Sequence, residues 1–439
     1  MYASELARAQ ARRHHVTVLA AEYDPARAHG QVDWRVQDRV PVAEIVNNWV
    51  CRSFEDTYRP PLIAERIASV LRATQPDIVH VHNLLNLSFD LPALARRAGA
   101  RVVATLHDYT LVCASGGQRL HRADQHICRT IDVDRCARCF GESPFAAQMT
   151  VGTTPRLLQR AALAVKRRAP GLAARAARAL TSAAPGARVS GREIDARLAA
   201  ARRLFDDIDL FVSPSSFLAG EFRALGVPPA KLDISDNGFR LIDRSATRPP
   251  RDSDAPLRIG FVGTIVWHKG VHVLLEAVRA LPSGKWRLQV FGNEATFPDY
   301  VASLRDQARD LPIVFSGAFA RETAASVYDQ IDVLVVPSIW LENSPLVIHE
   351  AFMAGVPVVG ARIGGITDLI ADGINGLLYD AGSPPALAQA LQSLIDNPAM
   401  LRALESRLPA VKSIDDDAGD WDARYASVLA AHAGQGIAR

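Results

Sequence analysis

The chain has 439 residues, 49% of them hydrophobic and 22% charged, with a formal net charge of +3. That length predicts two domains, with three possible, each able to bury its own core, and so small a net charge does not imply nucleic acid as a partner. No run of about 18 apolar residues is present, and the charged N-terminus, MYASELARAQARRHH, lacks the apolar core of a signal peptide; the expectation is a cytoplasmic protein without a membrane-spanning helix.

Read in chain order, Tyr2-Ala3-Ser4-Glu5-Leu6-Ala7-Arg8-Ala9 opens the chain as a helix. Short apolar runs follow: VTVLAA at 16–21, DIVHVH at 77–82, RVVATLH at 101–107 and DLFVSPS at 209–215. Each reads as a strand, and the amphipathic stretches between them read as helices, the pattern of βαβ units around a parallel sheet. Residues 151–203 break the pattern. They carry twelve basic and two acidic side chains, a net charge of +10, in an alanine- and leucine-rich setting that favours helix. Such a helix can lie on an anionic membrane surface or be a solvated insertion. Residues 244–256, RSATRPPRDSDAP, are polar and proline-bearing and read as an interdomain linker. A second series then begins: RIGFVG at 258–263, RLQVFG at 287–292, IVFSG at 313–317, DVLVVPS at 332–338 and VPVVGA at 356–361. The predicted organisation is α/β, with two Rossmann-like, doubly wound domains. The first spans 1–243, with a Cys-rich loop at 113–139. The second spans 257–412, and a C-terminal helix over 413–439 packs back on the first domain. Such sheets bind ligands beyond the carboxyl ends of their strands.

Chemistry concentrates in Pro337-Ser338-Ile339-Trp340-Leu341-Glu342-Asn343-Ser344-Pro345-Leu346-Val347-Ile348-His349-Glu350-Ala351. A strand ends at Ser338, and a helix begins near Pro345, a residue suited to a first helical turn. The backbone N–H groups of that turn sit at the positive end of the helix dipole and suit a diphosphate. Glu342 and Glu350 can accept paired hydrogen bonds from vicinal hydroxyls, so a sugar and a ribose are sensible targets.

Two glutamates eight apart are common; their context is not. Pro-Leu-Val lies inside the Glu-x7-Glu, and Ala-Gly-Val-Pro-Val-Val and Gly364-Gly365-Ile366 follow it. With Asp372-Gly373-Ile374-Asn375-Gly376, Phe261-Val262-Gly263 leading to His268-Lys269-Gly270, and Asn237-Gly238, this resembles glycosyltransferase family 4. The resemblance implies a GT-B fold, with two Rossmann-like domains facing across a cleft that holds the active site. It also implies a retaining transfer from a nucleoside-diphosphate sugar with no catalytic metal. Glu350 would bind the donor ribose. Glu342 and the stretch Asn343, Ser344, Pro345, Leu346 and Val347 would hold the transferred sugar and its phosphate. Gly263 and Thr264 would line the donor site. Lys269 would contact the diphosphate, where a cation offsets charge building on the leaving group. A solvated lysine before a helix is its plainer reading.

Two departures from the family pattern stand out. An arginine commonly follows the glycine at 263, and this chain has Thr264, so Lys269 and the helix dipole act without it or Arg362 substitutes. Family members also begin with an extra strand and a glycine-rich turn. Here the first helix starts at Met1, so the first sheet is expected to lack a central strand and to expose two edges. A start placed too late and a truncated protein of low activity both fit.

In the first domain, Ala104-Thr105-Leu106-His107-Asp108 ends a strand. The resemblance makes His107 a ligand of the transferred sugar, oriented by Asp108. His82 and Asn83 belong to HVHN at another strand end and are candidates for the acceptor side; His80 shares that motif. Cys113, Cys128, Cys136 and Cys139 follow with spacings x14, x7 and x2. Structural zinc, an iron–sulfur cluster and free thiols are all compatible, and His121 or His126 could replace one sulfur ligand. The leading expectation is transfer of a sugar to a lipid-linked or polysaccharide acceptor in cell-surface glycan synthesis, such as polysaccharide or lipopolysaccharide, by a cytoplasmic enzyme held peripherally at the inner face of the membrane. A degenerate, non-catalytic relative that binds sugar nucleotide or assembly partners is the alternative. An epimerase fits less well because no glycine fingerprint opens the chain.

Overall fold

The computed structural model describes residues 2–151, 164, 165, 168, 189–241, 255–320 and 323–436. Most of the expected linker and of the basic segment lies outside these residues. The chain divides into two compact units. The first comprises Met1–Pro214, Leu218–Gly238 and Ile414–Arg439, and the second Ser215–Phe217 and Phe239–Ser413.

The first unit contains strands β1 (Val18–Glu22), β2 (Val32–Gln37), β3 (Val40–Val46), β4 (Ile78–Val81), β5 (Arg101–Thr105), β6 (Leu120–His121), β7 (His126–Ile127), β8 (Leu210–Ser213) and β9 (Leu232–Ile234). They form three sheets. The order β4-β5-β8-β9 is parallel throughout, as expected for βαβ units. The order β1-β3-β2 joins a parallel pair to an antiparallel hairpin. A small hairpin, β6 with β7, lies in the Cys-rich loop.

β1 and β4 therefore belong to different sheets, and among the described residues each pairs on one side only. The core behind these sheets includes Ile63, Ile67, Val102, Phe140, Phe205 and Phe211, all nearly inaccessible. The opening helix Tyr2–Gln10 packs on the C-terminal helix Ile414–Gly436. Leu6, Ala9, Val103, Val212, Ala418 and Trp421 form the buried layer between them and the sheet. Tyr2 Oη donates to Asp417 at 2.6 Å, and Gln10 Nε2 donates to Tyr425 Oη at 2.9 Å.

The second unit holds one six-stranded parallel sheet built from β10 (Leu257–Val262), β11 (Trp286–Phe291), β12 (Ile313–Gly317), β13 (Val333–Val336), β14 (Val358–Ala361) and β15 (Gly376–Tyr379). Its order is β12-β11-β10-β13-β14-β15. β13 and β14 are buried at every position, the mark of central strands covered on both faces. From β10 the chain runs outward through β11 and β12, then crosses back to β13 and proceeds the other way. The switch point thus lies beyond the carboxyl ends of β10 and β13, where such sheets take their ligands.

Candidate active site

Both loops at that switch point carry the expected residues. After β10, Gly263 takes a φ of +149° and its amide donates to Phe291 O at 3.0 Å. Thr264 is exposed beside it. The chain then makes a short turn, Trp267–Lys269, closed by Gly270 in the left-handed region (φ +75°). A Cβ at Gly270 would lie 1.8 Å from Pro337 O, so only glycine lets the two loops meet. The contact is completed by the Ile339 amide donating to His268 O at 3.0 Å.

This packing brings Lys269 to Glu342. Lys269 Nζ donates to Glu342 Oε1 at 2.6 Å, and Ser338 Oγ donates to the same oxygen at 2.5 Å. Lys269 Nζ also lies 5.2 Å from the centre of the Trp340 ring. Glu342 is buried, and burial by itself would favour its neutral form. The Lys269 ammonium and the donors Ser338 and Trp340 outweigh that and hold its carboxyl below the ordinary range. Gly364 and Gly365 pack against the backbone of the same loop. A Cβ at Gly364 would meet Glu342 O at 2.4 Å, and one at Gly365 would meet Asn343 O at 1.7 Å. These glycines are there for close approach.

The helix Leu346–Met353 starts one residue after Pro345, which caps it in an extended conformation (ψ 116°). Ser344 Oγ lies 3.0 Å from His349 Nε2, and the His349 ring stacks on Phe239 at 4.3 Å. Leu346 is exposed and Val347 half-buried. Glu350 Oε2 accepts a 2.9 Å hydrogen bond from Tyr328 Oη, a side chain with no exposed surface. Arg362 donates to Asp372 Oδ2 at 2.8 Å, so the cation considered as a substitute at 264 is engaged in the Asp372–Gly376 turn. That turn is structural: Asn375 Oδ1 accepts from the Ala371 amide and its Nδ2 donates to Leu369 O.

The first unit brings its candidates together as well. His82 Nδ1 and His107 Nε2 are 3.0 Å apart at the carboxyl ends of the neighbouring strands β4 and β5. Asn83 Nδ2 donates to Asp108 Oδ2 at 2.9 Å, while Asp108 Oδ1 accepts from the Thr110 amide. Asp108 is therefore bound to Asn83 and Thr110, and His82 is the hydrogen-bonding neighbour of the His107 ring. His82, Asn83, His107, Asp108, Thr110 and Leu111 line a cavity here. Burial pushes the His107 imidazole down to about 4, and burial followed by the neighbouring His80 and His107 rings holds His82 well below its usual range. Both rings are neutral at pH 7. His80 has a structural post: its two nitrogens engage Tyr425 Oη at 2.7 Å and Thr105 Oγ1 at 2.8 Å. Cys113, Cys128, Cys136 and Cys139 lie in the loop that follows His107, and none forms a disulfide.

Sequence reasoning missed Ser338 and Tyr328, which hold the two glutamates, and Tyr2, whose ring sits 5.3 Å from that of His107. Ser338 ends the strand motif and was readable as a neighbour; Tyr328 lies 22 residues from Glu350 and left no local signal.

Comparison with known proteins matches this arrangement at both ends of the chain. The family model described as Glycosyltransferase Family 4 matches residues 1–155, and the one described as Glycosyl transferases group 1 matches residues 256–397. The chain belongs to glycosyltransferase family 4. A D-inositol 3-phosphate glycosyltransferase of Corynebacterium kroppenstedtii is 39% identical over 170 residues, 35% of this chain and 37% of that protein. The match thus spans little more than a third of that relative's length. Among solved structures, the Anabaena protein HepE in complex with UDP and glucose superposes with a TM-score of 0.55 at 17% identity, covering 89% of this chain and 87% of that one. The lipopolysaccharide outer core galactosyltransferase WaaB gives 0.53 at 13% identity, covering 92% and 98%. At such identities the likeness speaks for the fold, which is GT-B: two α/β units with parallel sheets.

Proposed function

We propose that this chain is a retaining glycosyltransferase that uses a nucleoside-diphosphate sugar. The observation that carries the reading is the Lys269–Glu342–Ser338 cluster at the switch point of the second unit, with Glu350 held by Tyr328 on the helix that follows. Glu350 accepts the ribose hydroxyls. Lys269 and the start of the helix Leu346–Met353 receive the diphosphate. Glu342 stays ionised at pH 7 and stabilises positive charge developing at the sugar's anomeric carbon. The bond from that carbon to the phosphate oxygen breaks, and a bond to the acceptor oxygen forms on the same face. The acceptor's proton passes to the departing phosphate oxygen. His107, with His82 behind it, offers a neutral ring to the sugar, and Asn83 and Asp108 serve the acceptor side. No residue is required to ligate a catalytic metal in this scheme.

The acceptor is lipid-linked or a growing polysaccharide, as in lipopolysaccharide assembly. The name of WaaB, a fold neighbour, and the +10 charge of residues 151–203 support this. Among the described residues no helix is long and apolar enough to cross a membrane. The basic side chains of residues 151–203 other than the buried Arg197 dock the enzyme on anionic lipid, each one near the surface contributing about 1 kcal/mol.

A thermal-shift screen of nucleoside diphosphates and their sugars tests the donor assignment, because a bound ligand raises stability with its concentration over its affinity. One donor is expected to raise the midpoint, and product formed from it to keep the anomeric configuration in proton NMR. A donor that binds but is never consumed would favour a non-catalytic sugar-nucleotide-binding protein, to which the residue Thr264 lends support. No binding by any donor would remove both readings.

A further inference from the structure

The Cys-rich loop takes no part in the donor chemistry, yet it holds a buried imidazole between two acids. His121 ends strand β6, Asp124 lies in the turn of the β6–β7 hairpin, and Glu142 is the last residue of the helix Val133–Glu142. One ligand atom from each lies within 4.8 Å of the other two. Among the described residues the four cysteine sulfurs form no such group. The His121 side chain is 2% exposed, whereas both carboxylates reach solvent.

The two ring nitrogens have different surroundings. A carboxylate can only accept, so Glu142 Oε2, 2.8 Å from Nε2, fixes a proton on that nitrogen. Nδ1 is then left with its lone pair. It lies 2.9 Å from Asp124 Oδ2, yet it is buried without a hydrogen-bond partner, because that oxygen sits off the axis an N–H would take. A lone pair and a carboxylate oxygen this close repel unless a cation lies between them. The arginines of the loop are engaged elsewhere. Arg122 donates to Gln118, Arg135 to His126, and Arg119 to Glu221. Among the described residues no lysine or arginine is ion-paired with Asp124 or Glu142.

We propose that His121 Nδ1 and Asp124 bind one zinc ion, with Glu142 as the acceptor that orients the ring. Two atoms each about 2.1 Å from one metal lie about 3.0–3.4 Å apart at octahedral to tetrahedral angles, and Nδ1 and Asp124 Oδ2 are nearly at that separation. A metal-bound imidazole characteristically donates its other N–H to a carboxylate, which is what Nε2 does here. The donor set selects the ion: imidazole nitrogen suits zinc, whereas magnesium and calcium prefer oxygen ligands alone. Water fills the remaining positions from the exposed side of the two acids. The ion clips the hairpin turn to β6 and, through the ring, to the end of the helix Val133–Glu142, and so braces the loop that follows His107.

Calorimetric titration tests the site, with zinc and with cobalt added to the full chain after a chelator has stripped it of metal and been dialysed away. About one ion per chain is expected. Asp124→Asn, a change at an exposed side chain, should weaken binding by about tenfold or more, and Glu142→Gln, which alters the support of the ring, by about 10–100-fold. Cys136→Ser should bind as the wild type does. The cobalt spectrum separates this site from the cysteines, because nitrogen and oxygen ligands give only weak d–d bands and thiolates add an intense sulfur-to-cobalt charge-transfer band. His121→Asn should abolish binding; should that buried change prevent folding, Asp124→Asn decides. No binding by the metal-free wild type would overturn the proposal. So would undiminished binding by a folded Asp124→Asn variant, or a charge-transfer band from the bound cobalt.

Discussion

The two units present opposite kinds of site at the ends of their strands. At the switch point of the second, charges are gathered and paired: Lys269 with Glu342, and Glu350 with the Tyr328 hydroxyl. At the ends of β4 and β5 in the first, two imidazoles meet at 3.0 Å and burial keeps both neutral. The contrast teaches a division of labour. A diphosphate needs a fixed cation and dipoles already oriented, and its transfer needs an anion near the developing charge. A sugar or acceptor hydroxyl needs donors and acceptors that carry no charge of their own.

The largest expected effect breaks the charged side. Glu342→Ala removes the buried partner of Lys269, a side chain that keeps some exposure to solvent. Transfer is expected to fall by about 10²–10³-fold, with a lower melting midpoint in calorimetry. Glu342→Gln keeps the hydrogen bonds to Ser338 and should recover the midpoint more than the rate. A loss of stability without a loss of rate would reduce Glu342 to a structural residue.

The neutral side is tested by pH. His107 and His82 bind protons more weakly in the folded chain than in the unfolded one, where the ordinary value is 6.5. Folding therefore opposes protonation. Stability is complete above about pH 6.5 and declines as pH falls toward the His107 value of about 4. Glu342, held below its ordinary range, loses its contribution at lower pH still. Chemical denaturation of His107→Asn should show a shallower decline between pH 6.5 and 4 than the wild type. An equal slope would mean that the pair does not titrate with unfolding.

Smaller effects sharpen the charged side. Glu350→Ala should weaken nucleoside diphosphate binding, and Tyr328→Phe should do so by about tenfold, as removal of one hydrogen bond to a charged group costs roughly 1.5 kcal/mol. In Tyr328→Phe the preference for ribo- over 2′,3′-dideoxyribonucleotide should shrink. The least change is expected from Thr264→Arg, which places a second cation on an exposed loop and should tighten diphosphate binding a few-fold at low salt, less at high salt. Titration at two ionic strengths checks it.

Much of this was legible in the sequence. Continuous apolar runs announced β10, β13 and β14 because central parallel strands are buried on both faces. The glycines at 270, 364 and 365 entered as part of the family resemblance, and the structure puts each at a close backbone approach. The hairpin β2–β3 was not read. Its turn puts Asp38 and Arg39 at φ 51° and 69°, a conformation that asparagine or glycine normally signals, and neither is present. Its strand β2 is mostly exposed, so no apolar run announced it. β9 and β15 are three and four residues long and carried too little pattern. Side-chain pairings across long separations, such as Tyr328 with Glu350 and Tyr425 with His80, depend on the packed fold and have no signature in local spacing.

The division of labour is tested most directly by calorimetric titration of nucleoside diphosphate into four proteins: wild type, Lys269→Ala, Glu350→Ala and His107→Asn. The account predicts saturable binding by wild type and His107→Asn with similar affinity, and weakening of at least tenfold in Lys269→Ala and Glu350→Ala, the equivalent of about 1.4 kcal/mol. Equal affinity in all four, or a loss confined to His107→Asn, would contradict it.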